Sequence, residues 1–276
     1  MLEKVTERIY YLMNDNNNER PAIGIVKGED SCLVVDAGNS PEHGKTMLRE
    51  VEKRNFPPVK YVIATHHHWD HIFGLEAFDG TKIASEKTCE LAKIYKGINL
   101  DDKGLELAKE KNIFNAHAIE CINKEFQDSG SFAPINFDVA FTGELKLHLG
   151  GITCIVNEII NPHREDGTIV YVPEEKTLFL GDAAYGRSKN GRNYYDREKT
   201  SALLQEVDTY DAEYYLCSHE SICDKEEMQS YWNDLNMGLA MTKGCSSIEE
   251  AITNFEKHYN KNPSKNDLFF LESFMD

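Results

Sequence analysis

The sequence lacks any apolar run near the roughly 20 residues that a membrane-spanning helix requires. Its first residues also lack the apolar centre of a secretory signal peptide, so we expect a cytoplasmic protein.

No CxxC pair occurs, and the seven cysteines are dispersed along the chain. An odd, scattered set of cysteines is typical of reduced thiols rather than of a disulfide framework.

Basic residues are scarce relative to acidic ones. The chain has 30 Lys and Arg against 47 Asp and Glu, which gives a formal net charge of −17. Nucleic acids and anionic membranes both require clustered positive charge, so neither is expected as the main partner. A small-molecule substrate remains compatible, including an anionic one held by one or two arginines. A homodimer also remains open.

Three familiar catalytic motifs are absent from the sequence. It contains no G-x-S-x-G nucleophile elbow, no phosphate-binding P-loop and no G-x-G-x-x-G dinucleotide fingerprint. The chemistry therefore has to come from another group of residues.

The pattern of apolar residues predicts an α/β fold. A buried strand that ends at Asp36, a helix from Pro41 to about Arg54 and a strand from Val59 to Thr65 form a βαβ unit. Two hairpins follow, turning at Gly150-Gly151 and at Glu174-Glu175. At 276 residues, without a low-complexity linker, we expect one domain over residues 1–276. It carries a helical insertion at about 85–127 and a helical tail at about 225–276.

The most informative segment is His66-His67-His68-Trp69-Asp70-His71, directly after the second strand of that unit. Four histidines and an aspartate within six residues are poorly explained as surface or core residues. In α/β sheets, ligand-binding residues gather at the carboxyl ends of strands. We therefore predict a metal site here, with His66 and His68 on one side of an extended backbone.

Single ligand-type residues recur at the ends of later predicted strands. His163 follows the strand that ends in NEII, Asp182 ends TLFLGD, and His219 ends the last predicted strand, EYYLCSH. Each of these residues would be weak evidence alone. Together they repeat one pattern, in which an apolar strand delivers one metal ligand at its carboxyl end.

These residues resemble the metallo-β-lactamase superfamily. Its HxHxDH signature is matched by His66, His68, Asp70 and His71, and the resemblance extends from the N-terminus to about His219. It implies an αββα four-layer sandwich with the metals at one sheet edge. His163 lies 92 positions after His71, a wider separation than in compact members, which fits the helical insertion.

The resemblance also implies a role for each residue of the pattern. Two divalent ions are expected, with zinc as the first choice and iron or manganese as alternatives. The first ion is held by His66, His68 and His163, the second by Asp70, His71 and His219, and Asp182 bridges them. Asp36 is expected to contact the ligands rather than a metal ion, and to orient a histidine ring or the loop that carries the HxHxDH signature. A hydroxide that bridges the ions attacks the substrate, and Asp70 or a second water transfers a proton to the leaving group.

The substrate is less sharply indicated. We expect a small carbonyl ester, lactone or thioester; a phosphodiester and an iron-dependent, persulfide dioxygenase-like oxidation are the alternatives. The non-enzymatic alternative is a regulatory protein that binds metal without turnover. β-Lactam cleavage is disfavoured, because the zinc β-lactamases that the sequence resembles lack the bridging aspartate.

Several residues are candidates for contact with that substrate. Tyr185 lies three residues after Asp182, as in the homoserine-lactone-hydrolysing branch, where a phenol points at the substrate carbonyl. The segment after it is rich in Arg, Asn and Gly and is predicted to be a loop beside the metals. The candidates for binding an anionic substrate are Arg164, Arg187, Arg192, Tyr194 and Tyr195.

Overall fold

The computed structural model describes residues 1–126, 135–189 and 191–275. The first half of this part of the chain builds one twisted sheet, with strands in the order β1 to β7. Strands β1 to β4 pair antiparallel, and β4 to β7 pair parallel. These strands are β1 (Leu2–Lys4), β2 (Ile9–Leu12), β3 (Ile23–Lys27), β4 (Cys32–Val35), β5 (Val59–Ile63), β6 (Thr81–Ser85) and β7 (Val139–Phe141).

Helices cover the outer face of this sheet. Ser40 caps the first of them by accepting a hydrogen bond from the His43 amide, and Pro41 occupies its first turn, which fixes its start. Ser85, Asp101 and Asn115 cap the three helices of the insertion in the same way. The helices are α1 (Pro41–Lys53), α2 (Trp69–Ile72), α3 (Glu86–Leu91), α4 (Asp102–Glu110) and α5 (Ala116–Glu125).

The second half builds a second sheet, in the order β15-β14-β11-β10-β9-β8, and a separate hairpin of β12 and β13. The strands are β8 (Glu144–His148), β9 (Thr153–Glu158), β10 (Thr168–Val172), β11 (Thr177–Gly181), β12 (Arg187–Lys189), β13 (Arg192–Tyr194), β14 (Tyr214–Cys217) and β15 (Cys223–Asp224). The helices are α6 (Arg197–Val207), α7 (Lys225–Met241), α8 (Ile248–Tyr259) and α9 (Lys265–Ser273).

The two sheets pack face to face. A buried cluster joins Val26, Leu33 and Ile63 of the first sheet to Val156 and Phe179 of the second. A second cluster lies between the first sheet and the helices α1 to α5, and a third lies between the second sheet and the helices α6 to α9. The layers therefore run helix, sheet, sheet, helix, which confirms the predicted αββα four-layer sandwich.

Most of the predicted elements are present. The βαβ unit, both hairpins and the helical character of the insertion and tail are confirmed. Gln127 and Asp276, the predicted ends of the insertion and tail, lie outside the described residues. The single-domain assignment stays a prediction. Within the described part of the chain, no helix is both long and apolar enough to cross a membrane.

Two local predictions were wrong. The segment after Tyr185 is not only a loop, because residues 187–189 and 192–194 pair as the hairpin of β12 and β13. The strand that precedes His219 is not the last one, because β15 pairs with it. Strand β6 was missed, since a five-residue strand with a lysine at its second position shows almost no periodicity. All seven cysteines, which lie in the described part, are free thiols as expected.

Candidate metal centre

The HxHxDH segment begins in the turn after β5, which holds His66 and His68, and continues into α2, which holds Asp70 and His71. It lies at the sheet edge where the carboxyl ends of the parallel strands meet. The turn is tied to the second sheet by the amide of Thr168, which donates to the carbonyl of Thr65 at 2.8 Å. Gly181, the last residue of β11, packs against the same threonine and has a φ of +55°. A Cβ at this position would lie 2.5 Å from Thr65 Oγ1. Only glycine fits at position 181, because any side chain would clash with Thr65. This close packing brings the next residue, Asp182, beside the turn.

The first group of ligand-type side chains contains His66, His68, His163 and Asp182. One ligand atom of each lies within 4.8 Å of the others. His163 Nε2 lies 3.2 Å from His68 Nδ1 and 3.4 Å from Asp182 Oδ2. His66 Nε2 lies 3.8 Å from the same carboxylate oxygen. Three imidazoles and one carboxylate thus converge on one small volume.

The second group contains Asp70, His71 and His219, again within 4.8 Å of one another. Asp70 Oδ2 lies 3.2 Å from His71 Nε2 and 3.3 Å from His219 Nε2. Asp182 Oδ2 lies 3.5 Å and 3.6 Å from the same two nitrogens. Asp182 therefore faces both groups, and the structure brings together all seven residues that the sequence nominated.

The chemistry of these side chains fits divalent cations. His66 Nε2, His71 Nε2 and Asp182 Oδ1 are buried and have no hydrogen-bond partner. Buried polar atoms without partners are costly, and a cation between them would satisfy all three. The far nitrogens of His71 and His163 meet Asp36 Oδ2 and the Gly186 carbonyl, an arrangement that leaves Nε2 of each ring free for a metal.

Electrostatics point to the same fit. Burial alone would raise the pKa of Asp182, but His219 and His71 hold it well below its usual range. Burial would lower the pKa of His219, yet Asp182 and Asp70 raise it to about 10. The carboxylates thus attract positive charge into the cluster. Protons and metal ions compete for the same histidine nitrogens.

Asp36 connects the HxHxDH segment to its surroundings. Its carboxylate accepts hydrogen bonds from the Thr65 amide at 2.8 Å and from the Thr65 hydroxyl at 2.9 Å. It also lies 2.8 Å from His71 Nδ1. The residue has a φ of +64°, a conformation that Asp and Asn tolerate better than most residues. Asp36 therefore connects Thr65, at the start of the turn, to the His71 ring on α2.

His67 points away from the two groups. Its amide donates to Asp166 Oδ2 at 2.7 Å, and its ring Nδ1 lies 3.0 Å from the same carboxylate. Asp166 was missed in the sequence analysis, because a single aspartate in a turn gives no signal of its own. It fixes the middle of the HxHxDH segment from the side opposite the ligands.

The candidates for substrate contact divide into two sets. Tyr185 lines the cleft, and its hydroxyl accepts a hydrogen bond from the His219 amide at 3.3 Å. Arg164 and Arg187 also line the cleft, and Arg164 Nε donates to His68 Nε2 at 2.5 Å. Arg192 is exposed on β13 and is not among the described residues that line it.

Tyr195 is not placed where a substrate could reach it. Only 2% of it is exposed, and its hydroxyl lies 2.7 Å from that of Tyr231. Its ring stacks on Phe274 under the helical tail. The assignment of Tyr195 to substrate binding was therefore wrong, because the aromatic residue belongs to the core between hairpin and tail.

Both ligand groups open into a cleft of about 470 Å³. The helical insertion supplies one wall of the cleft, with Tyr95, Ile113, Phe114 and Ala118 as its apolar part. Arg164 and Arg187 also line the cleft, as do polar residues such as Glu19 and His117. No role for the insertion was evident from the sequence, since its residues carry no motif.

A family model described as the metallo-beta-lactamase superfamily matches residues 20–219. A 54-residue stretch is 33% identical to the linear primary-alkylsulfatase of Pseudomonas sp. (strain ATCC 19151). That match covers 20% of this chain and 10% of the alkylsulfatase.

Solved structures share the fold at low identity. A metallo-beta-lactamase from Pontibacter korlensis aligns with a TM-score of 0.56 and 18% identity over 84% of this chain and 97% of its own. The stereoselective inverting sec-alkylsulfatase Pisa1 from Pseudomonas sp. aligns with a TM-score of 0.66 and 15% identity over 98% of this chain. The chain spans 47% of the length of that sulfatase. On the family match, the fold and the His/Asp cluster, this chain belongs to the metallo-β-lactamase superfamily.

Proposed function

We propose that this protein is a dinuclear metal-dependent hydrolase that acts on a small carbonyl ester, lactone or thioester. The observation that carries the proposal is the position of Asp182 Oδ2, which lies 3.4 to 3.8 Å from ring nitrogens of both ligand groups. A carboxylate shared in this way suits two adjacent cations rather than one. Zinc is the preferred ion, with iron or manganese as alternatives, because all three accept imidazole and carboxylate ligands.

The residues around the cluster have separable roles in this proposal. Two bound divalent ions would supply a water acidified enough to act as nucleophile near neutral pH, and would stabilise the oxyanion that forms. Asp36 holds the ring of His71 in place, and the Gly186 carbonyl does the same for His163. In this proposal Asp70, or a second water, transfers a proton to the leaving group.

The cleft supports a substrate with an apolar part and an acidic part. Tyr95, Ile113 and Phe114 offer an apolar wall, on which the alcohol or acyl portion of an ester can pack. Arg164 and Arg187 offer positive charge in the same cleft, in a chain that is otherwise strongly acidic. We therefore expect acidic esters to be better substrates than neutral esters of the same size.

A substrate panel tests this function. Protein stripped with a chelator and reloaded with zinc or manganese should hydrolyse chromogenic carboxylic esters, thioesters or lactones, and renewed chelation should abolish the activity. Phosphodiesters should be poorer substrates. Consumption of oxygen with a sulfur substrate by an iron-loaded protein, without ester hydrolysis, would instead establish the oxidoreductase alternative. Metal binding without turnover on any substrate would favour a regulatory protein.

Sulfate ester hydrolysis is a second candidate. It is favoured by the 54-residue match to a linear primary-alkylsulfatase and by the two arginines, which can bind a sulfate group. An alkyl chain could lie along the apolar wall of the insertion. A linear alkyl sulfate therefore belongs in the panel, and its turnover in preference to all carboxylic esters would replace the first proposal.

Tyr185 is proposed to donate a hydrogen bond to the developing oxyanion. Burial raises its pKa well above the usual value, so the phenol remains a donor at neutral pH. Replacing Tyr185 with phenylalanine should lower kcat about 100-fold, while KM and metal content change little. Steady-state kinetics with metal analysis of the same sample checks this. An unchanged kcat would remove Tyr185 from the mechanism.

The remaining expectations concern the whole protein. A cytoplasmic location and a homodimer are both compatible with the proposal, and neither is needed for it. Cell fractionation and light scattering would test them.

A further inference from the structure

A third group of ligand-type side chains shares no residue with the dinuclear cluster. It contains Glu19, His117 and Cys121, and one ligand atom of each lies within 4.8 Å of the others. Glu19 and His117 also line the cleft. The group joins two distant segments, the turn before β3 and the helix α5 of the insertion.

The helix presents two of the three ligands on one face. His117 and Cys121 are four residues apart, so their side chains are neighbours on consecutive turns of α5. Cys121 Sγ lies 3.8 Å from His117 Nε2 and 3.9 Å from the carbonyl oxygen of Asn17. Cys121 is fully buried, whereas His117 is exposed. Cys121 thus lies in the core, and His117 lies one turn earlier on the same helix face, where it lines the cleft.

The third ligand is held in an unfavourable environment. Glu19 Oε2 is buried and has no hydrogen-bond partner, which is a costly state for a carboxylate oxygen. Glu19 also adopts a φ of +46°, which is rare for a residue other than glycine. A cation between Glu19 and the helix pair would satisfy this oxygen.

The surrounding contacts hold the three residues together without an ion. Arg20, the neighbour of Glu19, donates two hydrogen bonds to Glu125 at the end of α5, at 2.7 and 2.9 Å. The carbonyl of Asn18 accepts a hydrogen bond from Asn39 Nδ2 at 2.9 Å. The turn that carries Glu19 is therefore fastened to the helix that carries the other two ligands.

We propose that Glu19, His117 and Cys121 form a third metal site, for Zn²⁺, in the wall of the catalytic cleft. A thiolate, an imidazole and a carboxylate form a donor set that zinc accepts readily. Three protein ligands leave one coordination position for water or for a group of the substrate. Binding releases the thiol proton of Cys121. The ion links the N-terminal turn to the insertion that walls the cleft.

Cobalt(II) provides a specific test, because sulfur ligation gives a thiolate-to-cobalt charge-transfer band in the near ultraviolet. The seven residues of the dinuclear cluster include no cysteine, so ions bound by those residues alone do not produce this band. Chelator-stripped, full-length protein titrated with Co²⁺ should bind three ions per chain and develop the band. The result does not depend on hydrolysis, so a failure of the proposed activity leaves it interpretable.

Two variants and a control complete the experiment. Cys121→Ala should bind two ions and lose the band. His117→Ala, at an exposed position that does not threaten folding, should need at least about tenfold more Co²⁺ to develop it. Cys154→Ala removes another fully buried cysteine, in β9, and should keep both the band and three ions. Two ions and no band in the wild type, or a band that persists in Cys121→Ala, would overturn the proposal.

Discussion

Replacing Asp182 with alanine should remove one metal ion per chain relative to the wild type and reduce kcat/KM by more than about 100-fold. Changes in residues that only support metal ligands typically cost 10- to 100-fold, and Asp182 touches both ligand groups directly. Without its carboxylate, His66 Nε2 loses the carboxylate oxygen that lies 3.8 Å from it, and His71 Nε2 loses one of the two carboxylates near it, at 3.5 Å. Elemental analysis and steady-state kinetics on one preparation would measure both effects.

The control for this variant is Asp211→Ala. Asp211 is an exposed carboxylate paired with Lys176, remote from the ligand groups, and its loss should change neither metal content nor rate. If Asp182→Ala keeps its full metal content and turnover, the dinuclear account is contradicted. Circular dichroism of both variants would show that the comparison is made between folded proteins.

The second large effect is expected at Asp36. Asp36→Asn should weaken metal binding 10- to 100-fold, with a matching loss of activity at limiting metal. Asparagine tolerates the φ of +64° at this position, so the backbone should stay unstrained. Its single carbonyl oxygen cannot replace two carboxylate oxygens that contact the Thr65 amide, the Thr65 hydroxyl and His71.

Metal titration under competition with a chelator measures this loss. Alanine is a poorer choice for the same test, because it would add backbone strain to the loss of hydrogen bonds. Asp30→Asn, at an exposed aspartate, is a suitable control and should bind metal as the wild type does. Unchanged affinity in Asp36→Asn would mean that the ring of His71 is positioned by other contacts.

The cluster of seven His and Asp side chains was predictable because its members follow a repeated rule. An apolar strand followed by a polar residue is visible in the sequence, and the ends of such strands meet in space. His163, Asp182 and His219 could therefore be grouped with the HxHxDH segment before their distances were known. The four layers were predicted from the resemblance of these residues to the metallo-β-lactamase superfamily.

The cleft wall was not predictable in this way. Glu19 and Cys121 lie 102 positions apart, and nothing in either segment marks the other as a neighbour. Their proximity depends on how the insertion packs against the turn at Arg20. Tyr195, in contrast, was assigned to the substrate site but is buried in the core. Its neighbours in sequence are polar and suggested a surface loop, but tertiary packing places its ring against Phe274.

The most direct test of the central claim is a metal count combined with a rate measurement. It is best made on Cys121→Ala, in which the proposed third site is absent. The stripped variant is reloaded stepwise with zinc, and bound metal and ester hydrolysis are measured on each sample. We predict two ions per chain, with hydrolysis reaching its maximum only as the second ion binds. Full occupancy by a single ion, or two ions without hydrolysis of any ester in the panel, would contradict the dinuclear hydrolase.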